Sequence, residues 1–299
     1  MNDTHGEACE PANRVVKIGS QRLVCGDALA ELANLPDLSF DLAVVDPPYN
    51  ASTKATWNLP AGHQLKGFGG AWKLASHEWD RFPRGDYLEF TIRWLSQVKR
   101  LVRPTGSIWI HATYHNAGFV NVALQMLGIE IINEVVWYKR NAFPNLAGRR
   151  LTASHETIYW AHTGNGKREY RFNYDKVKMA TFPGDTLKLA GKQLRTVWDI
   201  PNNKQREEIQ HGGHPTQKPL RLLERMFMIS GCEGWDVLDP FMGRGTTEVA
   251  ALRFGMSAYG IEIDQQHFEV SCRRLNDERE KKTQMTFDSG TNLSTINHD

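Results

Sequence analysis

Residues 237–247 constrain the fold more than any other part of this 299-residue chain. Their sequence, VLDPFMGRGTT, is typical of an apolar strand, a glycine turn and the start of a helix. Glycine lets the backbone approach a ligand closely, and a helix N-terminus offers unpaired N–H groups. Glu262 ends the next apolar run, where an acidic side chain commonly binds ribose hydroxyls. The pattern predicts a site for a nucleoside-bearing cofactor. A dinucleotide site is the alternative, although position 248 is Glu and not the third glycine of that fingerprint.

Short apolar runs alternate with helical patterns along most of the chain. This alternation predicts an α/β fold with a doubly wound, mostly parallel, Rossmann-like sheet, whose sites lie at the carboxyl ends of strands. The predicted strands cover 15–18, 22–25, 41–45, 107–110, 129–138, 156–161, 237–239 and 258–263. The predicted helices are a short one capped by Asp27, followed by 86–102, 116–127, 220–229, 246–254 and 265–280.

Composition excludes several classes of protein. Hydrophobic residues make up 40% of the chain and charged residues 23%, so the chain is not disordered as a whole. No apolar run approaches the roughly 20 residues that cross a bilayer, and the first 14 residues lack the apolar centre of a secretory signal. The four cysteines are far apart in sequence, which favours reduced thiols. We therefore expect a cytoplasmic protein with no membrane segment and no metal site.

The net charge of +2 conceals a strongly basic segment. Residues 139–206 contain 14 Lys and Arg against 5 Asp and Glu, which leaves a net charge of −7 on the rest of the chain. A basic segment in a mildly acidic body predicts a face that binds a polyanion. A solvated, lysine-rich loop is the alternative. Because the segment is poorly periodic, we interpret it as an irregular insertion.

A second motif, Asp-Pro-Pro-Tyr at residues 46–49, follows the predicted strand 41–45. Two consecutive prolines cannot continue a ladder, so the strand ends there and opens into a loop. The Asp46 carboxylate and a backbone carbonyl can both accept hydrogen bonds from an exocyclic NH2 group, while Tyr49 stacks on the ring that carries it. The motif predicts a site for a small planar amine, and an ordinary strand-terminating turn is the alternative.

A third motif, His-Pro-Thr-Gln-Lys-Pro at residues 214–219, precedes the predicted helix at 220. Thr216 and Lys218 are suited to hold a carboxylate of the cofactor. Taken alone, the motif is only a proline-bounded start of a helix.

Together the three motifs resemble those of amino-group DNA methyltransferases that use S-adenosylmethionine. Their order resembles the permuted β class of adenine-N6 enzymes, in which Asp-Pro-Pro-Tyr precedes Phe-x-Gly-x-Gly, here residues 241–245. Residues 137–145, 154–160 and 170–175 are similar to those of the cell-cycle-regulated and HinfI-like methyltransferases, and the resemblance runs from about residue 14 to 280. The cell-cycle-regulated enzymes carry an extra C-terminal DNA-binding domain, and we expect no counterpart of it here. The resemblance therefore does not extend to their recognition sequence.

The resemblance implies methyl transfer from S-adenosylmethionine to N6 of an adenine flipped out of double-stranded DNA. The Asp46 carboxylate and the Pro47 carbonyl would accept the amine hydrogens, with Tyr49 stacked on the base, so that no metal is needed. The implied catalytic residues are Asp46, Pro47, Pro48 and Tyr49. The implied cofactor residues are Asp27 at the adenine, Glu262 at the ribose, Gly243, Gly245 and Thr246 at the methionine end, Thr216 and Lys218 at its carboxylate, with Asp239 and Phe241 beside them. For Asp27, a helix cap is a second role.

Recognition of the DNA sequence is expected from residues 139–206 and from a long segment at 51–84. That segment contains Trp57, Trp72 and Trp79, and its length is typical of a lid or a binding loop. Within the basic insertion, the candidates for phosphate or guanine contacts are Lys139, Arg140, Arg149 and Arg150, and those for adenine contacts are Asn141 and Asn145. Plain phosphate contacts or exposed surface are the alternatives. A homodimer is expected, because relatives in the permuted class are often dimeric and two-fold dimers are common.

The predicted organisation has four parts. Residues 14–138 form the catalytic half of a methyltransferase domain, 139–206 the DNA-recognition insertion, 207–280 the cofactor-binding half and 281–299 a polar tail.

Three other functions stay open. An N4-cytosine methyltransferase shares the chemistry on an exocyclic amine, although Asp46, where those enzymes carry Ser, favours adenine by analogy. RNA and protein-glutamine methyltransferases usually have the opposite order of motifs. A non-catalytic DNA-binding regulator is the alternative from a different class.

Overall fold

A computed structural model describes residues 14–50, 84–142, 144, 149–164, 168–202, 206–211 and 217–291. Nine strands and eight helices lie within these described residues. The strands are β1 (Arg14–Ile18), β2 (Gln21–Cys25), β3 (Phe40–Val45), β4 (Val102–Ala112), β5 (Glu130–Tyr138), β6 (His155–His162), β7 (Val197–Asp199), β8 (Asp236–Asp239) and β9 (Ser257–Glu262). The helices are α1 (Ala28–Ala33), α2 (Arg84–Leu101), α3 (Ala117–Met126), α4 (Tyr174–Met179), α5 (Arg206–Ile209), α6 (Leu220–Ser230), α7 (Thr246–Arg253) and α8 (Gln265–Thr291).

All of these strands form one sheet in the order β1-β2-β9-β8-β3-β4-β6-β5-β7. The pairs β1–β2, β4–β6 and β5–β6 are antiparallel, and the other five neighbouring pairs are parallel. The predicted α/β class and the mostly parallel sheet are therefore confirmed.

Helices cover both faces of the sheet, because successive side chains of a strand point to opposite faces. On β3, Leu42 and Val44 belong to a buried cluster that includes residues of α6, α7 and α8. Ala43 and Val45 belong to a second cluster, which includes residues of α1, α2 and α3. Burial on both faces is typical of the parallel strands of doubly wound folds. Because helices cover both faces of the sheet, a ligand site is expected at the ends of the strands.

The β1–β2 hairpin and the first helix form as the sequence predicts. The hairpin pairs Arg14 with Cys25, and Asp27 caps α1 by accepting a 2.9 Å hydrogen bond from the backbone N–H of Ala30. The cap satisfies one of the N–H groups that a helix leaves unpaired at its start.

Two predicted boundaries are wrong by more than two residues. We predicted that the strand after α2 begins at residue 107, but β4 begins at Val102, directly after α2. Its ladder with β3 shifts register between Phe40 and Leu42, so that residues 104–106 are accommodated in an irregular part of the strand. We also predicted that the last helix ends near residue 280, whereas α8 continues to Thr291. Leu275 is the last buried apolar residue described in α8, so the apolar pattern on which the prediction was based ends well before the helix.

The basic segment 139–206 is joined to the same sheet. Its strand β7 pairs in parallel with β5, with Val197 opposite Val136, and Val177 of its helix α4 is buried in the first core cluster. The segment also contains β6, which agrees with the strand predicted at 156–161 and lies between β4 and β5. The part that we expected to be an irregular insertion thus contributes β7, the last strand of the sheet.

Candidate active site

Two glycines of the turn after β8 have a left-handed backbone conformation. Gly243 has a φ of 56° and Gly245 a φ of 74°, a region that side-chain-bearing residues rarely adopt. A Cβ atom on Gly245 would lie 2.9 Å from the Cβ of Ser271, whereas a Cβ on Gly243 would meet no atom within 4 Å. The turn therefore needs glycine at 245 for packing, and at 243 it borders open space. Thr246 begins α7 directly after the turn.

Glu262 links the glycine turn to the end of β9. Its carboxylate accepts one 2.8 Å hydrogen bond from the backbone N–H of Gly243 and another from that of Asp264. Burial raises the pKa of Glu262 to about 7, and burial likewise raises the pKa of Asp239 at the end of β8 to about 7. Both carboxyl groups lie where a nucleoside cofactor was predicted.

The Asp-Pro-Pro-Tyr turn follows β3 directly, and its polar groups contact one another. The Tyr49 hydroxyl donates a hydrogen bond to the Asp46 carboxylate. Burial raises the pKa of Tyr49 well above its usual value, and the Asp46 carboxylate adds to this effect. The phenol is therefore a neutral donor to Asp46 in this state.

Lys218 lies against this turn. Its ammonium group is 2.8 and 3.0 Å from the two Asp46 oxygens and 2.6 Å from the Tyr49 hydroxyl. The sequence predicted that Lys218 holds a carboxylate of the cofactor, but the structure pairs it with Asp46, because the residues before α6 lie against the turn that follows β3. Lys218 still lines the cavity described below, so a cofactor contact stays a prediction. Thr216, its predicted partner, lies outside the described residues.

A buried hydrogen-bond chain holds the second proline of the turn. The Tyr87 hydroxyl donates to the Pro48 carbonyl and accepts a 3.1 Å hydrogen bond from the side-chain amide of Asn116. Asn116 in turn accepts a 2.8 Å hydrogen bond from the backbone N–H of Thr113. Tyr87 and Asn116 are fully buried, so the chain fixes the turn between α2 and the β4–α3 corner.

One cavity of about 420 Å³ joins the two turns. Such a volume is within the range of small-molecule sites, about 300–1,000 Å³. Its wall includes nine of the twelve described residues predicted for the cofactor and the target amine, namely Asp27, Asp46, Pro48, Lys218, Asp239, Phe241, Gly243, Thr246 and Glu262. Pro47, Tyr49 and Gly245 are not among its lining residues. The cavity lies at the carboxyl ends of β8, β9 and β3, where parallel sheets bind ligands.

Sequence reasoning missed His111, which also lines this cavity. It lies at the end of β4, and neither ring nitrogen has a hydrogen-bond partner among the described residues. Burial and the nearby Lys218 ammonium lower the pKa of His111 to about 3, so the ring is neutral. Tyr87, Asn116 and Glu156 were missed as well. Tyr87 and Asn116 lie outside the motifs that the sequence analysis identified, and Glu156 lies in the motif at 154–160 but was assigned no role.

Several candidates for DNA contacts are engaged within the protein. Lys139 pairs with Glu156 at 2.8 Å, Arg140 pairs with Asp199 at 2.6 Å, and the Asn141 side chain accepts a hydrogen bond from the backbone. These contacts attach the start of the basic segment to β6 and β7. They therefore give Lys139 and Arg140 a structural role that the sequence did not predict.

Arg149 and Arg150 are exposed, as a DNA contact requires. The guanidinium group of Arg150 bonds to the hydroxyl of Tyr114, a residue with 60% of its surface exposed, and lies 5.6 Å from the centre of its ring. Asn145 lies outside the described residues, as do nearly all of 51–84 and its three tryptophans.

The sequence predicts neither a membrane-spanning segment nor a metal site. No helix in the described part of the chain is long and apolar enough to span a membrane. No group of three or more His, Cys, Asp or Glu side chains among the described residues is arranged to bind a metal ion.

Comparisons with known proteins agree with this arrangement. The N6/N4 methyltransferase family model, described as a DNA methylase, matches residues 40–273. The Type II methyltransferase M2.DpnII of Streptococcus pneumoniae is 36% identical over 259 residues, which are 86% of this chain and 90% of the relative. The Type II methyltransferase M2.LlaDCHI of Lactococcus lactis subsp. cremoris is 34% identical over 255 residues, which are 85% of this chain and 88% of the relative.

Solved structures share the fold. A complex of M1.HpyAVI with S-adenosylmethionine matches with a TM-score of 0.56 and 23% identity, over 85% of this chain and 98% of that chain. The cytosine-N4-specific PvuII DNA methyltransferase matches with a TM-score of 0.63 and 16% identity, over 85% of this chain and 86% of that one.

Proposed function

The chain belongs to the N6/N4 DNA methylase family and is an S-adenosylmethionine-dependent DNA methyltransferase, and we propose that it methylates N6 of an adenine flipped out of double-stranded DNA. One observation carries the proposal: the glycine turn and the Asp-Pro-Pro-Tyr turn follow the neighbouring strands β8 and β3 and border the same cavity. Neighbouring strands are about 4.8 Å apart. A methyl donor at one turn is thus close to an amine at the other.

The residues around the glycine turn suit the cofactor. Glu262, with its raised pKa, is an acceptor for ribose hydroxyls when ionised, and Asp27 lies beside it at the end of β2, since the backbone N–H of Gly26 bonds to the Glu262 carbonyl. The open space at Gly243 leaves room for the methionine moiety. When bound, S-adenosylmethionine supplies an electrophilic methyl group on a positively charged sulfur.

Asp46 and Pro47 are the proposed acceptors for the two hydrogens of the target amine. The Pro48 carbonyl already accepts the Tyr87 hydroxyl, which favours the Pro47 carbonyl as the second acceptor. Two acceptors in the plane of the amine would direct its lone pair toward the methyl group. This contribution is positioning and electrostatic stabilisation. After transfer, the Asp46 carboxylate is in reach to accept the proton that the amine releases.

Tyr49 must change its contacts when the base enters. In the present state its hydroxyl is bonded to Asp46 and Lys218. A ring that stacks on the base cannot keep both of these hydrogen bonds. The amine hydrogen therefore takes the place of the phenol hydrogen on Asp46.

The assignment to adenine depends on Asp46. Within the resemblance described above, Asp before Pro-Pro favours adenine, whereas Ser favours cytosine. The N4-cytosine reaction is the second candidate, because its target is also an exocyclic amine beside a ring nitrogen. Incubating the purified protein with duplex DNA and labelled S-adenosylmethionine, followed by mass spectrometry of the nucleosides, tests the proposal. We expect N6-methyladenine. N4-methylcytosine would contradict the assignment of the base, and absence of transfer would contradict the activity.

Sequence-specific DNA binding and a dimer complete the proposal. Arg149 and Arg150 are the proposed phosphate or guanine contacts of the basic segment. We expect one protomer to offer a limited surface for binding DNA. Even single DNA-binding modules bury about 600–1,000 Å² in specific interfaces, and a second protomer would enlarge the contact area. We therefore propose a two-fold homodimer in which one protomer methylates while the other helps to hold the duplex. Light scattering at micromolar concentration, with and without DNA, should give the dimer mass. A monomer mass in both conditions with full activity would contradict it.

A further inference from the structure

The mechanism above gives no role to Glu156, although it is part of the motif at 154–160. Glu156 lies on β6, opposite Trp137 of β5, so its backbone is fixed by a sheet ladder. Its carboxylate lies between two lysines: one oxygen is 2.8 Å from Lys139, and the other is 3.7 Å from Lys218. Only 14% of the Glu156 side chain is exposed, and it links the catalytic turn to the start of the basic segment.

Lys218 is buried and lies near two carboxylates, with hydrogen bonds to Asp46 and an ion pair with Glu156 at 3.7 Å. Only 6% of its side chain is exposed, and a buried charge is costly unless it is paired and hydrogen-bonded. Burial alone would lower the pKa of Lys218, but the Asp46 and Glu156 carboxylates outweigh burial and raise it. The same lysine donates to both Asp46 oxygens, so its place determines the orientation of that carboxylate.

We propose that Glu156 is a positioning residue for methyl transfer: it holds the Lys218 ammonium in the place from which Lys218 orients the Asp46 carboxylate. This inference rests on the proposed function, since it assigns Asp46 to the target amine. Glu156 itself is not a catalytic residue, because Lys218 separates it from the reacting atoms. Its loss should move Lys218 and reduce the rate, since small displacements of a positioned group cost up to about 100-fold.

The expected pH dependence follows from the titratable and charged groups that face Lys218. Among these titratable groups are Asp46 and Tyr49 of the catalytic turn, Glu156 of β6, His111 of β4 and Asp239 of β8, with Lys139 beyond Glu156; the Tyr49 phenol and the His111 ring are neutral. Removing the Glu156 charge takes away one of the two carboxylates that raise the pKa of Lys218, so this pKa falls. The ammonium then loses its proton at a lower pH, and neutral Lys218 binds Asp46 less strongly.

The test compares Glu156→Gln with wild type in single-turnover methylation of duplex DNA across neutral and alkaline pH. At saturating S-adenosylmethionine we expect a rate about 10- to 100-fold lower than that of wild type, with a further loss at alkaline pH, where the wild-type rate does not change. Calorimetry should show that the variant still binds the cofactor. The matched control is Glu134→Gln, because Glu134 is an exposed carboxylate on β5, and it should behave as wild type. A rate within twofold of wild type, or a reduced rate with an unchanged pH profile, would overturn the proposal.

A second variant covers the case in which Glu156→Gln does not fold. Glu156→Asp keeps the charge but withdraws it from Lys218 by one methylene group, so it should give an intermediate rate at saturating S-adenosylmethionine. A wild-type rate and pH profile in Glu156→Asp would also overturn the proposal. If wild type proves to methylate cytosine, the assignment to adenine fails, but the comparison among these variants stands, because Asp46 receives an amine in either reaction.

Discussion

The backbone N–H of Gly243 donates a 2.8 Å hydrogen bond to the Glu262 carboxylate, so the turn after β8 and the end of β9 form one unit. A side chain at 243 would extend from this unit into open space. The two residues that the sequence connected only by spacing are thus in direct contact. Cofactor binding should therefore be sensitive to each of them.

Gly243→Val should abolish binding of S-adenosylmethionine, because the new side chain would occupy the space proposed for the methionine moiety. Gly128→Val is the matched control, since Gly128 has a φ of 62° and also has no neighbour within 4 Å of a Cβ, but lies in the turn before β5. Both variants should lose stability, because a β-branched residue is strained at positive φ. Calorimetry on the folded variants should show binding only in Gly128→Val. Unchanged affinity in Gly243→Val would reduce the turn to a structural role.

The stability of the ligand-free protein should fall as pH rises through about 7. Burial raises the pKa of Asp239 and Glu262 to about 7 and that of Glu248 well above its usual value. Because these carboxyl groups stay neutral in the folded protein up to their raised pKa values, their contribution to stability is complete below about pH 4 and is lost as the pH rises through those values. Raising the pKa of one group by one pH unit on folding contributes about 1.4 kcal/mol to the free energy of unfolding.

Glu248→Gln should reduce this dependence, since both Glu248 oxygens are buried without a partner among the described residues. Thermal unfolding from about pH 5 to 9 measures it, with Glu207→Gln on the exposed side of α5 as the control. An equally steep loss of stability in Glu248→Gln and wild type would contradict the account.

Tyr49→Phe should keep most of the methylation rate, whereas Tyr49→Ala should lose much more. Phenylalanine retains the ring that stacks on the base and loses only the hydroxyl that now contacts Asp46. Stacking of a base on an aromatic side chain contributes about 1–3 kcal/mol. Single-turnover rates and DNA affinity measure the difference. If Tyr49→Phe lowers the methylation rate as much as Tyr49→Ala does, the hydroxyl and not the ring is the functional group.

Replacing Arg149 and Arg150 together by Ala should make DNA binding less dependent on salt. Each phosphate contact contributes about −0.9 to the slope of log K against log salt. The control is Lys17→Ala with Arg22→Ala, because these exposed residues face each other on the β1–β2 hairpin at the opposite edge of the sheet. Titrations at several salt concentrations should give a shallower slope only for the arginine pair. Equal slopes would place the DNA on another face.

The sequence predicted those features that depend on neighbouring residues. The Asp27 cap, the glycine turn before α7 and the end of β3 just before Asp46 each follow from a few consecutive residues. The end of α8 was predicted too early, because its apolar pattern stops at Leu275 while polar residues with good helix propensity continue the helix.

Contacts between distant segments could not be predicted in this way. Lys218 and Asp46 are 172 residues apart in sequence, and their pairing depends on how the segment before α6 lies against the turn after β3. The same is true of Tyr87 on Pro48, which is 39 residues away. Periodicity and turn chemistry carry no information on such pairs, because the order of strands in the sheet decides them.

The most direct test of the account is the single-turnover rate of Asp46→Ala, measured together with its affinity for S-adenosylmethionine. Asp46 addresses the target amine and not the cofactor, so the rate should fall by about 100-fold or more while the dissociation constant stays within a few-fold of wild type. A loss of less than about tenfold, with the cofactor still bound, would remove Asp46 from the role on which the mechanism depends.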